Sequence, residues 1–191
     1  MTKEQIKSKK RVVNYGEVFT NKKEVNAMCD LVIQETEKIN SKFLEPACGD
    51  GNFLIEILKR KLNTIKKRYK DICDWERFSL LAISSLYGIE ILEDNAIVCK
   101  NRLYNYWKKE YETINNKKYN KKILDFAKYI LEHNIICGNT LSGKCVSKEG
   151  HDIEKPIIFS EWIFSFDDMK IQKRDYTFNE LLNKERHRKI F

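Results

Sequence analysis

Phe43-Leu44-Glu45-Pro46-Ala47-Cys48-Gly49-Asp50-Gly51-Asn52-Phe53-Leu54 is the stretch on which the fold reading turns. A short strand over Lys42–Glu45 ends at Pro46, two glycines follow one residue apart, and a helix leaves the loop. Its apolar face carries Phe53, Leu54, Ile57, Leu58, Leu62 and Ile65. Glycines at such a corner let the backbone approach a ligand closely and adopt conformations that a side chain forbids. In open α/β sheets, ligands bind where a strand's carboxyl end meets such a turn.

Outward from this corner the pattern repeats. Val25, Met28, Cys29 and Val32 recur at helical spacing, which predicts a helix over 21–39. Helices are expected over 75–85, 94–109 and 123–131, with apolar strands over 86–92 and 134–137. Strands alternating with helices predict a parallel sheet wound with helices on both faces. Asn115–Lys122 reads as a lysine-rich loop. Thr140–Glu154 is polar and turn-rich; strands over 156–166 and 169–178 around Asp167-Asp168 predict a C-terminal β-hairpin, and 178–189 a last short helix. Residues 1–14 read as a loose basic arm, and 15–191 as one domain: a ligand-binding half, 15–141, and a divergent hairpin and helix, 142–191.

The chain has 191 residues with 36 Lys+Arg against 28 Asp+Glu, a net charge of +8, which favours a polyanionic partner, double-stranded DNA above all. A codon bias toward A and T would give the same Lys, Asn, Ile and Tyr abundance. No apolar run approaches the roughly 20 residues that cross a bilayer. Six cysteines without a C-x-x-C pair argue against a disulfide framework or zinc site and for reduced thiols in a cytoplasmic protein. His133, His151 and His187 lack metal-ligand spacing, so no metal is expected.

Glu45 beside the loop would repel a pyrophosphate but pair with the α-amino group of a methionine moiety. The Glu45–Phe53 segment resembles motif I of S-adenosylmethionine-dependent DNA methyltransferases, in particular the adenine-N6 family of restriction–modification systems, whose form is close to D/E-P-A-C-G-x-G-x-F. Gly16-Glu17-Val18-Phe19-Thr20 resembles that family's motif X, with Asn21 in place of its proline. Tyr87-Gly88-Ile89-Glu90-Ile91 ends the second strand on a carboxylate, the group that a ribose diol requires. Asn134-Ile135-Ile136-Cys137-Gly138-Asn139-Thr140-Leu141 resembles the third-strand element.

The resemblance implies a Rossmann-like class I methyltransferase core and S-adenosylmethionine as cofactor. Phe19 and Thr20 would cap its methionine end, and Glu45, Pro46, Ala47, Gly49, Gly51, Asn52 and Phe53 would cradle it. Glu90 would take the ribose, Ile91 would contact adenine, and Asn139 would accept from the adenine amino group. The family's N/D/S-P-P-Y/F motif, which accepts the target amino protons and stacks on a flipped-out base, is absent: the only prolines are Pro46 and Pro156.

Ser160, Glu161 and Trp162 are the nearest stand-ins, the first two as proton acceptors and Trp162 as a stacking ring; the alternative is an ordinary hairpin strand. Lys173, Arg174 and Tyr176 are the candidates for DNA contact. Two functions follow: a DNA adenine-N6 methyltransferase of restriction–modification or phage type, or a non-catalytic cofactor- or DNA-binding subunit. A second protein subunit that supplies target recognition or catalytic residues is a candidate partner alongside the DNA.

Overall fold

The computed structural model describes residues 7–115, 120–165 and 170–188. Asp167-Asp168, Met169 and most of the lysine-rich loop therefore lie outside the described residues. Before the sheet come α1 (Lys9–Tyr15), α2 (Lys22–Leu31) and α3 (Ile33–Thr36). Asn21 caps α2 by accepting the Glu24 N–H at 3.0 Å, a local reason for asparagine at that position. The helix expected over 21–39 is broken at Val32, whose ψ of 38° leaves the helical region.

β1 (Phe43–Glu45), β2 (Leu86–Glu90) and β3 (Ile135–Asn139) pair in parallel, with Phe43 opposite Leu86 and Gly88 opposite Ile135. The connections are α4 (Asn52–Arg68) with α5 (Ile72–Ser84), then α6 (Glu93–Ile114) with α7 (Lys121–Asn134). Asp71 caps α5 through the Cys73 and Asp74 N–H groups. The sheet is not wholly parallel, as the alternation of elements predicts. β4 (Lys144–Val146) and β5 (Asp152–Pro156) extend it antiparallel, in the order β1-β2-β3-β4-β5. The fold is thus α/β with a mixed five-stranded sheet.

Strand alternation sorts the two faces. Leu86 and Ile135 point into a helical layer with Leu54, Leu58, Leu62, Leu103 and Ile130. In its centre Trp75 stacks on Tyr111 at 5.4 Å and tilts against Trp107 at 6.0 Å. Tyr87 and Ile89 point the other way. There they meet Ile157, Phe159 and Phe178, with Leu181 packed against them. The second face is thus covered by a hairpin and one terminal helix, not by the row of crossover helices that the expected helices on both faces would supply. The second cover is a hairpin of β6 (Ile158–Phe164) and β7 (Ile171–Thr177), followed by α8 (Phe178–Arg188). It is pinned to the sheet by the Tyr87 hydroxyl on the Ser160 carbonyl at 3.1 Å and the Trp162 indole N–H on Asn134 Oδ1 at 2.9 Å.

β1 lies at the sheet margin. The Phe43 N–H bonds the Ser85 carbonyl, which in a parallel ladder turns the main-chain groups of Leu44 away from β2. Among the described residues no strand pairs with that outer edge. No described helix is long and apolar enough to cross a membrane.

Candidate functional site

The carboxyl ends of β1, β2 and β3 converge on one cavity of about 270 Å³. The loop Pro46–Gly51 contributes Pro46, Ala47 and Gly49 to its lining. Gly49 and Gly51 have φ of 53° and 86°, in the left-handed region that favours glycine. A β-carbon at Gly49 would meet the Phe19 ring at 3.4 Å, and one at Gly51 would stand 2.6 Å from Cys99 Sγ on α6. The first glycine thus brings the loop against a cavity wall, and the second lets it sit on the helix behind.

Glu90, at the tip of β2, joins the two turns. One carboxylate oxygen accepts the Gly49 N–H at 2.8 Å and the other the Leu92 N–H at 3.0 Å. Burial pushes this carboxyl above its ordinary range, while those two N–H groups pull it back down. Each oxygen keeps a second lone pair for a ligand hydroxyl. Thr140, from the tip of β3, donates its hydroxyl to the Pro46 carbonyl and closes the ring of strand ends.

Of the twelve residues expected to hold a cofactor, Phe19, Pro46, Ala47, Gly49, Glu90, Ile91 and Asn139 line the cavity. Thr20, Glu45, Gly51, Asn52 and Phe53 are not in its wall. Asn52 holds the wall from behind, donating from Nδ2 to the Thr20 carbonyl at 3.0 Å and accepting from Arg102 at Oδ1. Phe53 packs on the helical core. Glu45 is half-buried, and burial raises its carboxyl. Asn139 spends Nδ2 on Asp152 and accepts the Leu141 N–H at Oδ1, both at 3.0 Å, leaving one lone pair on that oxygen.

Sequence reasoning missed Glu17 and Asn95, which also line the cavity. Glu17 had a signal, since it stands inside Gly16–Thr20; Asn95 had none, lying in the first turn of a helix that reads as amphipathic. They bond each other, Asn95 Nδ2 to Glu17 Oε1 at 2.6 Å, across 78 positions of sequence.

The hairpin residues lie elsewhere, and none lines the cavity. Ser160 is buried and donates to Asp175 Oδ1 at 2.7 Å. Glu161 pairs with Lys42. Trp162 is buried on Asn134, edge-on to Phe126 and Tyr129. On β7, Lys173 pairs with Asp175 at 3.2 Å, Arg174 is exposed opposite Glu161, and Tyr176 is half-buried opposite Phe159.

Known proteins were compared with this chain. Over 54 residues it is 39% identical to DNA methyltransferase A of Bacillus subtilis (strain 168), a similarity covering 26% of this chain and 6% of that protein. The chain therefore spans only a small part of that relative's length. No solved structure matches it. The family described as "MmeI, DNA-methyltransferase domain" matches residues 19–155, which takes in the glycine loop, Glu90 and Asn139. By that match, over well more than half of its length, the chain belongs to the MmeI DNA-methyltransferase domain family.

Proposed function

We propose that the cavity binds S-adenosylmethionine and that the chain is the cofactor-holding, Rossmann-like part of a DNA adenine-N6 methyltransferase. The observation that carries this reading is Glu90. A carboxylate fixed between two main-chain N–H groups at the junction of two strand ends is preorganised to accept both hydroxyls of a ribose. The glycine loop leaves room for the rest of the nucleoside, with Phe19, Ile91 and Leu92 as apolar walls. A bound sulfonium cofactor supplies an electrophilic methyl group.

The chain's own part is to bind and orient that cofactor. Asn139 presents its remaining Oδ1 lone pair where an adenine amino group can donate. Ile91 and Leu92 exclude water from the base. DNA as the methyl acceptor rests on the family match and on the net charge of +8. Lys173, Arg174 and Tyr176 remain the residues proposed to track the duplex.

Two observations favour a second reading, in which the chain works with a partner polypeptide that supplies the target-amine site. Ser160 is bonded within the hairpin and Trp162 to Asn134 of α7, both away from the cavity. β1, the strand that feeds the glycine loop, is at the sheet margin with one edge open among the described residues. A parallel strand added there would end beside Pro46 and Ala47, at the rim of the cavity.

Titration calorimetry with S-adenosylmethionine and S-adenosylhomocysteine tests the shared claim, and radiolabelled methyl transfer to unmethylated genomic DNA separates the two readings. Micromolar binding with methyl incorporation by the chain alone supports the first. Binding without incorporation supports the second. Absence of heat with either ligand overturns both.

A further inference from the structure

The segment before the glycine-corner domain is tied to the cavity wall by charge. Arg11, on α1, grips Glu17 with two bonds of 2.7 Å, from Nε and Nη2, and reaches Asp94 at 2.9 and 3.0 Å from Nη1 and Nη2. Lys7 donates to Asp94 at 3.0 Å and to Asn95 Oδ1 at 2.6 Å. The Asn95 amide in turn donates to Glu17 at 2.6 Å, and its proximity pulls the Glu90 carboxyl down. Glu17 and Glu90 thus stand in one cavity wall with Asn95, and the cation bonded directly to Glu17 is Arg11. The region read as a loose basic arm thus includes a helix, and two of its cations, Lys7 and Arg11, are spent on the protein itself. Lys7, Arg11 and Glu17 all precede the family-matched residues 19–155, so this device is additional to what the match covers.

We propose that Arg11 is a positioning residue for the cofactor: by neutralising Glu17 it lets the neighbouring Glu90 stay ionised and able to accept two ribose hydroxyls. The inference rests on the cofactor reading above. Without the guanidinium, Glu17 and Glu90 become buried like charges in one cavity wall. Such pairs resolve by one member holding its proton. A protonated Glu90 has one oxygen turned donor and loses half of its grip on the diol.

Glu90 faces other titratable groups, and none of them replaces Arg11. Cys48 faces it from the loop after β1, Cys137 from β3 and Glu17 from the segment after α1; Glu45 and Cys99 act on Cys48, Glu93 and Lys100 on Cys137, and Asp94 is paired with Arg11 and Lys7. Burial raises Cys137, and Cys48 is raised by its contact with Cys99 and by burial, so these two thiols stay neutral through the acid range. The Arg11 guanidinium holds Asp94 down at about 2, which keeps that acid ionised and paired with the arm.

The test is the affinity for S-adenosylhomocysteine as a function of pH, across about pH 5 to 7.5, where a carboxyl raised by burial titrates and exposed lysines and arginines do not; Lys61, buried and lowered to about 7, is outside the cavity wall. Affinity falls as pH drops through the Glu90 value. In Arg11→Met that fall is expected to begin at higher pH, its midpoint moved up by about one unit, so that below the wild-type midpoint binding is weaker by up to about tenfold while above both midpoints it is unchanged. The double variant Arg11→Met/Glu17→Gln returns the midpoint toward wild type, and Arg11→Lys leaves it near wild type.

A purely structural arm would instead weaken binding equally at every pH, and Glu17→Gln would not rescue it; that result overturns the proposal. Thermal melting establishes that each variant is folded. If Arg11→Met is not, Glu17→Gln alone carries the test: its midpoint must move down, and an unchanged midpoint overturns the proposal. Wild-type protein that binds no ligand at any pH removes the cofactor reading and this inference with it, whereas wild-type binding with an unshifted Arg11→Met removes this inference alone.

Discussion

Gly51 stands against Cys99 so closely that a β-carbon on the glycine would lie 2.6 Å from the cysteine sulfur. The loop and α6 are thus packed at a distance only a hydrogen side chain allows, and Gly51 also holds a φ of 86°. Gly51→Ala combines an overpacking clash with left-handed strain, and its expected cost is about 2–4 kcal/mol of unfolding free energy. Pairing it with Cys99→Ala relieves the clash and leaves the strain, so the double variant should recover part of the loss relative to Cys99→Ala alone. Denaturant unfolding of the four proteins measures this.

Lys61 is wholly buried in α4, its ammonium donating to the Ile39 and Ser41 carbonyls and to Ser85 Oγ. Burial pushes it down to about 7 from the ordinary 10.5. The sign follows from proton counts. Below pH 7 folded and unfolded chains both hold the proton, and stability is flat with respect to this group. Between 7 and 10.5 the unfolded chain holds it and the folded chain releases it, so stability rises with pH, by at most about 1.4 kcal/mol per unit. Lys61→Met should flatten that slope and, at pH 7, leave three acceptors without their donor, costing about 1–3 kcal/mol. Urea melts at pH 7, 8 and 9 decide it.

How much of this was legible depended on whether the signal was local. The glycine corner was, because a tight turn between strand and helix needs Gly49 and Gly51 whatever surrounds it. β2 and β3 were, because Leu86–Glu90 and Ile135–Asn139 are apolar runs. β4 and β5 were not: Lys144-Cys145-Val146 is too short for a period, and Asp152–Pro156 is exposed throughout, so neither shows the alternation of a half-buried strand. The break at Val32 carries no Gly or Pro. Glu17 and Asn95 meet across 78 positions, a contact no window of sequence contains. Trp162 shows a third kind of limit: an aromatic at an alternating strand position reads alike whether its ring faces a base or, as here, Phe126 and Tyr129.

The bond from Trp162 to Asn134 separates a structural from a ligand-facing role for that tryptophan. Asn134 also donates to the Ser84 and Leu86 carbonyls at 3.0 Å, so it joins α5, β2 and the hairpin. Trp162→Phe keeps most of the ring packing and strips Asn134 Oδ1 of its buried donor. The expected loss is about 1–3 kcal/mol, with S-adenosylhomocysteine affinity unchanged because the ring is outside the cavity wall. A variant that kept its stability and lost methyl transfer would instead place the ring at the reaction.

Glu90→Gln isolates the group on which the cofactor reading depends. The amide is nearly isosteric but presents one oxygen and one NH2 where the carboxylate presents two acceptors. Whichever way it turns, its NH2 must oppose either the Gly49 or the Leu92 N–H, so a donor faces a donor at the junction of the two strand ends. Two effects should therefore appear together: S-adenosylhomocysteine affinity falls by at least about tenfold, equivalent to about 1.4 kcal/mol, and hydrogen exchange of the Gly49 or Leu92 amide speeds up in the free protein. Loss of affinity with unchanged exchange would mean that Glu90 touches the ligand without organising the loop. Faster exchange with unchanged affinity would mean that the carboxylate is a strut of the turn and the diol is held by another group, which would remove the observation that selects a nucleoside.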